Sequence, residues 1–142
     1  FGLGCRNVSK VFVPSGYDFT GFYQSIEEMA DDFVNHHKYF NNYEYNKSIY
    51  LVNRVAHSDN GFLLATESEA LVSPISVLHY QPYDSVEELK GLLRESGDKI
   101  QCVVAGPQMH LPEALPFGAA QRPGLSDYAD GIDTMAFLAE IA

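Results

Sequence analysis

The sequence predicts an α/β fold in which a largely parallel sheet is flanked by helices. Short apolar runs alternate with helix-length segments along the 142 residues, and this alternation is typical of parallel strands joined by crossover connections. The runs are almost continuously apolar, as expected of strands that are covered on both faces. A single domain over residues 1–142 is expected, because domains most often contain about 100 to 150 residues.

The first part of the chain contains one predicted strand and two predicted helices. The strand, residues 6–13, ends in a β-branched and aromatic run and stops at Pro14, which lacks a backbone N–H. Apolar side chains at three- and four-residue steps predict an amphipathic helix over residues 20–37. These side chains are Phe22, Ile26, Met29, Phe33 and His37. Residues 43–55 predict a second helix, although their aromatic content also leaves a strand open.

Two further strands and a helix are predicted in the middle of the chain. Residues 59–61, Asp-Asn-Gly, are typical of a tight turn, and the apolar residues 62–65 that follow predict a buried strand. Residues 75–80 predict another strand. Ser85 and Glu88 have the spacing of a capping box, which predicts that a helix begins here.

The last part of the chain is predicted to contain one strand, a proline-rich loop and short helices. The apolar residues 100–105 predict a strand that places Cys102 among core side chains. Repeated prolines and glycines after residue 106 predict a loop over the surface of the domain. Short helices are expected after Ser126 and Asp133.

Composition excludes several classes of function. The formal net charge is −10 and only nine residues are Lys or Arg, so nucleic acid is an unsuitable partner. The sequence contains neither an apolar run near the roughly 18 to 20 residues needed to span a bilayer nor a basic and apolar leader. A cytoplasmic protein with no membrane span and with free thiols at Cys5 and Cys102 is therefore expected.

Cys5 is the residue that best fits a nucleophile. It lies between Gly4 and Arg6 and before the first strand, on a predicted loop where glycine permits close approach of a substrate. A neighbouring cation would favour the thiolate, which is the species that attacks an electrophilic carbonyl. The alternative is that Cys5 is a small buried side chain at the start of a strand.

The histidines do not predict a metal site. His36 and His37 are expected to end the first helix, where cationic side chains suit the helix dipole, and they lack a third ligand at metal spacing. Three more histidines are isolated in the sequence: His57, His79 and His110. An alternative function is a cysteine hydrolase acting on acyl thioesters, in which one of the five histidines activates Cys5. A non-catalytic interaction module, whose cysteines only pack, is a further alternative.

Three segments resemble a known superfamily, and four segments resemble one of its families more closely. Residues 2–13, 69–77 and 115–121 are similar, in the same order, to the nucleophile loop, the Glu-x-Phe-Gly-Pro region and the Pro-Phe-Gly-Gly loop of aldehyde dehydrogenases. The finer resemblance is to bacterial acyl-CoA reductases akin to the fatty-acid reductase of bioluminescence systems. It is carried by residues 4–10, 46–51, 73–80 and 127–135. The resemblance covers essentially the whole chain.

The resemblance implies an activity and a set of site residues. Cys5 would accept an acyl group from acyl-CoA, and a hydride from NADPH or NADH would reduce the resulting thioester to an aldehyde. Glu69, with Glu67 as its neighbour, is similar to the glutamate that touches the nicotinamide ribose, although it lies one residue farther from Pro74 than in the family pattern. Phe117 is similar to an aromatic residue of the substrate channel, with a packed loop anchor as the alternative.

The resemblance also implies a larger protein. It makes this chain the C-terminal part of an aldehyde dehydrogenase-like catalytic domain. The nucleotide-binding domain, which holds most of the cofactor, and the general-base glutamate would precede Phe1. The complete reductase is then the enzyme, and this part alone is expected to be inactive. An apolar face at the former domain interface would favour a homo-oligomer.

Overall fold

The computed structural model describes residue 4 and residues 6–125, 127–128 and 131–141. Its contacts divide the chain into two compact units, Phe1–Leu89 and Lys90–Ala142. The first unit holds the sheet and the longest helix, and the second is built mainly from turns and short helices. The organisation of residues 1–142 as one domain stays a prediction.

A four-stranded sheet forms the centre of the first unit. Its strands are β1 (Lys10–Pro14), β2 (Ser58–Asp59), β3 (Leu64–Glu67) and β4 (Val77–Tyr83), in the spatial order β1-β4-β3-β2. β1 and β3 both run parallel to β4, whereas β2 pairs antiparallel with β3. The prediction of an α/β fold with a largely parallel sheet is confirmed. Membership of an aldehyde dehydrogenase-like catalytic domain stays a prediction.

Prolines lie in two of the strands, and the pairing explains why the sheet accepts them. Pro14 is the last residue of β1, an edge strand, so the missing N–H breaks no central ladder. Pro82 lies in β4 between two neighbours, but the pairing of β3 with β4 stops at Glu67 and Tyr80. At Pro82, β4 therefore has a strand partner only on the β1 side, where it is aligned with Val13.

The helix predicted over residues 20–37 is broken into shorter pieces. They are α1 (Thr20–Ser25), a 3-10 turn (Glu27–Met29) and α2 (Ala30–Val34). Aromatic packing differs between the two α-helices: Phe19, at the start of α1, contacts Tyr80 with ring centroids 4.9 Å apart, whereas Phe33 in α2 stacks on Phe62 at 5.3 Å. The two helices thus pack on different aromatic side chains. This tertiary packing breaks the single long helix that the apolar spacing of the sequence predicts.

α3 (His37–Asn53) is the longest helix and it packs on the sheet. The helix predicted over residues 43–55 is thus confirmed, and it begins six residues earlier. Tyr43 is only 1% exposed and forms the core with Leu64 of β3 and Val77 of β4. The buried amide of Asn46 donates to the Ile75 carbonyl at 2.9 Å, so the helix also holds the chain just before β4.

The predicted capping box is present at the start of α4 (Val86–Glu95). The Glu88 N–H donates to Ser85 Oγ at 3.1 Å, and Glu88 Oε2 accepts from the Asp84 N–H at 2.7 Å. The Ser85 bond satisfies an N–H group that the first helical turn leaves without a partner, whereas Glu88 reaches back to the N–H of Asp84, the residue before Ser85.

The strand predicted over residues 100–105 does not form. Val104 makes one isolated parallel bridge with Leu115, supported by the Leu115 N–H donating to the Val103 carbonyl at 2.8 Å. Pro112 and Pro116 lie on either side of the Leu115 segment and lack the N–H groups that a longer ladder needs. Cys102 is accordingly a half-buried free thiol rather than a core side chain in a strand.

The second unit ends in α5 (Thr134–Glu140). Asp133 Oδ1 accepts from the Ala136 N–H at 2.8 Å, as expected of an N-cap. The helix predicted after Asp133 is therefore confirmed. The other helix was predicted to follow Ser126, which lies outside the described residues.

Candidate functional site

The predicted nucleophile, Cys5, lies outside the described residues. The Asn7 N–H donates to the Gly4 carbonyl at 3.0 Å, and β1 begins at Lys10. A cysteine loop ahead of this strand stays a prediction.

Glu69 lies in the connection between β3 and β4, which is named the crossover loop here and comprises residues 68–76. Because β3 and β4 are adjacent and parallel, this connection has to return from one end of the sheet to the other. Such connections usually contain a helix, but here nine residues do so without one. Contacts between the loop and the strands therefore determine the path of the loop and the position of Glu69.

Three consecutive carbonyls of the crossover loop accept hydrogen bonds from the strand side. Lys10 Nζ donates to the Glu69 carbonyl at 2.7 Å, and Ser9 Oγ donates to the Leu71 carbonyl at 2.7 Å. His79 Nδ1 lies 3.0 Å from the Ala70 carbonyl. Because a carbonyl only accepts, this ring nitrogen carries the proton. Ser9, Lys10 and His79 are named the carbonyl clamp here.

The strand register brings the clamp together. Lys10 of β1 is directly aligned with His79 of β4, so their side chains lie on the same face of the sheet. The His79 N–H also donates to the Ser9 carbonyl at 3.1 Å, which extends the pairing of β1 with β4 by one residue. His79 is buried within this arrangement.

The Lys10 ammonium links both sides of the candidate site. Besides the Glu69 carbonyl, it donates to Gln81 Oε1 at 2.6 Å and lies 5.2 Å from the centre of the Phe12 ring. Burial lowers the pKa of Lys10, and the charge of Glu69 acts in the opposite direction. The ammonium thus exchanges part of its hydration for contacts with the loop and with β4.

One open cleft is lined by both Glu69 and Gln81, the two residues that accept hydrogen bonds from Lys10 Nζ. The other lining residues are Glu67, Ser68 and Pro82. The side chains of Glu67 and Glu69 are exposed, so both carboxylates are accessible to a ligand. A carboxylate accepts hydrogen bonds from hydroxyl groups, and two carboxylates disfavour phosphate. The lining can therefore accept hydrogen bonds from the hydroxyl groups of a ligand.

Phe117 lies in the second unit and is 75% exposed. It lies in a turn closed by the Ala119 N–H, which donates to the Pro116 carbonyl at 3.1 Å. Gly118, the next residue, has φ of +81°, a conformation that favours glycine. The described Phe117 ring is thus presented to solvent by a tight turn rather than packed as a loop anchor.

His36 and His37 begin a helix instead of ending one. His36 is the N-cap of α3, and its Nδ1 accepts from the Tyr39 N–H at 3.2 Å. An accepting Nδ1 is unprotonated, which suits the positive end of the helix dipole. The expectation that His36 and His37 end a helix was therefore wrong.

The remaining isolated histidines make short-range contacts. His57 Nδ1 lies 2.7 Å from the Val55 carbonyl, and His110 Nδ1 lies 2.8 Å from the Gln108 carbonyl. In both, the ring bonds to the backbone two residues earlier in the chain. Such local bonds are typical of side chains that fix turns.

The carbonyl clamp is the part of the site that sequence reasoning missed. Lys10 and His79 are the chargeable residues next to the apolar runs of two predicted strands, and that placement was a usable signal. The partners of Ser9, Lys10 and His79 lie in a loop whose path depends on the strand order. No local sequence pattern gives that order.

Comparisons of the chain with protein-family models, with curated proteins and with solved structures found no match. In the part of the chain that the structure describes, no helix combines the length and the apolar character needed to cross a membrane. Within the same residues, no three His, Cys, Asp or Glu side chains are grouped so that they could hold a metal ion.

Proposed function

We propose that this chain is part of an NADPH- or NADH-dependent acyl-CoA reductase that converts fatty acyl-CoA to aldehyde through a thioester on Cys5. The ordered sequence motifs around Cys5, Glu69 and Phe117 support this activity. The observation that carries the proposal is that Ser9 and Lys10, which closely follow Cys5 in the chain, bind the loop that bears Glu69.

The first chemical step is acyl transfer. The Cys5 thiolate attacks the carbonyl carbon of the acyl-CoA thioester, a new carbon–sulfur bond forms, and the bond to coenzyme A breaks. The coenzyme A thiolate leaves and takes up a proton. The exchange is close to balanced in free energy, because one thioester replaces another. Backbone N–H groups would stabilise the oxyanion of the tetrahedral intermediate.

The second step regenerates the cysteine. A reduced nicotinamide, when bound, would supply the hydride for this step. The carbonyl carbon of the Cys5 thioester becomes an aldehyde carbon as its bond to sulfur breaks, and the thiolate is released. Glu69 would contribute by binding rather than by proton transfer: its exposed carboxylate would accept hydrogen bonds from the ribose hydroxyls, with Glu67 beside it in the cleft. In this proposal a separate nucleotide-binding domain binds the rest of the nucleotide, and the general base is a residue outside this chain.

Phe117 contributes an apolar wall for the acyl chain. Its ring is 75% exposed, so it is available to a ligand. An exposed phenyl ring gains free energy when it covers an alkyl chain, because both lose contact with water.

The proposed reductase is cytoplasmic and self-associates. The half-buried free thiol of Cys102 suits a reducing compartment. Exposed apolar side chains cluster around α5 and provide a surface for association. They are Ile132, Met135, Phe137, Leu138 and Ile141. Gel filtration over a range of concentrations is expected to show an oligomer, and a strict monomer would contradict this part of the proposal.

Thioacylation tests the function directly. The complete polypeptide that contains this chain is incubated with long-chain acyl-CoA without reduced nicotinamide, and the acylated peptide is mapped by mass spectrometry. We expect one hydroxylamine-labile acyl group on Cys5, its loss in Cys5→Ala, and its retention in the matched control Cys102→Ala. Absence of the adduct, or an adduct on Cys102 alone, would show that the proposed mechanism is wrong.

A further inference from the structure

We propose that Ser9, Lys10 and His79 are positioning residues that hold Glu69 in the orientation needed to bind the nicotinamide ribose. This inference rests on the proposed function and adds to it residues of the carbonyl clamp that do not touch the reacting atoms. The clamp binds the carbonyls of residues 69, 70 and 71 at 2.7, 3.0 and 2.7 Å.

The geometry explains what the clamp fixes. Each bound carbonyl sets the plane of one peptide unit, so three consecutive bonds fix the backbone from Glu69 to the residue after Leu71. These bonds use the backbone carbonyl of Glu69, and its side chain is exposed. The clamp therefore restrains the backbone that leaves Glu69, and it limits the directions open to the Glu69 side chain while the carboxylate remains available to a ligand.

Such a device is needed because the crossover loop contains no helix. Loops without regular structure open locally at low cost in free energy, and binding then has to order them. The loop is joined to α3 near its end, through Asn46 and the Ile75 carbonyl. The start of the loop, where Glu69 lies, is joined to β1 and β4 by the hydrogen bonds of the clamp.

Lys10 has a special place within the clamp. Its ammonium bonds to the Glu69 carbonyl and to Gln81 Oε1, so it connects two segments that line the same cleft. Loss of this ammonium is expected to change the separation of Glu69 from Gln81. The sheet itself does not depend on it, because β1 and β4 are joined by backbone bonds.

The test separates positioning from folding with two substitutions at one position. In the complete polypeptide, Lys10→Met keeps much of the side-chain length but removes the donors, whereas Lys10→Arg retains donors and charge. Lys38→Met, at an exposed position on α3, is the matched control. Ser9→Ala removes a second clamp bond if Lys10→Met fails to fold.

Three measurements are made on each variant. They are the Kd of the reduced nicotinamide by fluorescence titration, the rate of Cys5 thioacylation, and hydrogen–deuterium exchange of the peptide that covers residues 68–76. Lys10→Met is expected to weaken nicotinamide binding about tenfold or more and to speed exchange in that peptide, while thioacylation changes less than about twofold. Lys10→Arg should recover most of the binding, and Ser9→Ala should show a smaller effect of the same kind.

Two results would overturn the inference while the proposed function stands. One is a Lys10→Met enzyme that is folded, acylated at Cys5 and unchanged in nicotinamide binding. The other is an equal loss of acylation and nicotinamide binding, which indicates a general structural role. Failure of the wild-type protein to be acylated at all would instead remove the proposed function itself.

Discussion

At the scale of single residues, Asp59 shows how one side chain joins a turn to a helix. Its Oδ1 accepts from the Tyr43 hydroxyl at 2.7 Å and from the Gly61 N–H at 2.8 Å. Its Oδ2 lies 2.8 Å from Lys47 Nζ. Burial of Asp59 opposes ionisation, but the hydrogen bonds from Lys47, Gly61 and Tyr43 together hold its pKa below the ordinary value.

Substitution Asp59→Asn should destabilise the protein by on the order of 1 kcal/mol at neutral pH, since the carboxylate bonds are charge-assisted but partly exposed to solvent. A lowered carboxyl pKa contributes stability above the unfolded-state pKa of about 4. That contribution is lost as the pH falls through the lower, folded-state pKa. Urea unfolding at several pH values should therefore show the difference between wild type and Asp59→Asn shrinking below about pH 4.

The control for this substitution is Glu44→Gln, because Glu44 is an exposed carboxylate on α3, the helix that Asp59 contacts. Its effect should be within about 0.5 kcal/mol. A difference between wild type and Asp59→Asn that stays constant down to pH 2 would contradict the role assigned to the Asp59 charge.

The turn at residues 59–61 was predicted from the local sequence, because the interactions that form it are made by the turn residues themselves. Asn60 Oδ1 accepts from the N–H groups of Phe62 and Leu63, and Gly61 has φ of +95°, so Asn and Gly act as turn residues do. The bonds from Asp59 to Tyr43 and Lys47 were not predictable in this way. They depend on how α3 packs on the sheet.

At the scale of elements, α3 ends in an unfavourable conformation. Arg54 follows its last residue with φ of 54°, a left-handed conformation that costs a residue with a Cβ about 1 to 2 kcal/mol. Glycine is the usual residue at this position of a helix end. Arg54 is exposed, so its side chain can be changed without opening the core.

Substitution Arg54→Gly should therefore stabilise the protein by about 0.5 to 1 kcal/mol, because relief of the backbone strain exceeds the added entropy of the unfolded chain. Thermal and urea unfolding measure the gain. Arg54→Ala is the matched control, since it removes the side chain but keeps the Cβ. Equal stabilisation by glycine and alanine would show that the Arg54 side chain, and not the backbone angle, is responsible.

The elements predicted correctly have signals within their own sequence. β1, β3 and β4 lie in or beside the apolar runs, and α4 begins at the predicted capping box of Ser85 and Glu88. The incorrect expectations concern segments whose secondary structure is determined by tertiary contacts. Residues 20–37 break because two segments pack on different aromatic partners, and residues 100–105 find only one bridging residue. Such partners are far away in the sequence, so a hydrophobic period cannot reveal them.

At the scale of the whole molecule, the candidate site depends on strand order. Sequence motifs identified Cys5, Glu69 and Phe117 separately, each from its own segment. The structure joins the Glu69 loop to the start of β1 through Ser9 and Lys10. This contact results from β1 and β3 flanking β4, an arrangement that local sequence does not determine. The placement of Cys5 stays a prediction.

The most direct test of the account is a single-turnover experiment on the acylated protein. The complete polypeptide is first acylated with acyl-CoA, freed from excess substrate, and then mixed with NADPH or NADH. The account predicts that the acyl group on Cys5 is released as one equivalent of aldehyde, with one equivalent of the reduced nicotinamide oxidised. Release of the acyl group as free fatty acid, without nicotinamide oxidation, would contradict the account and favour a cysteine hydrolase.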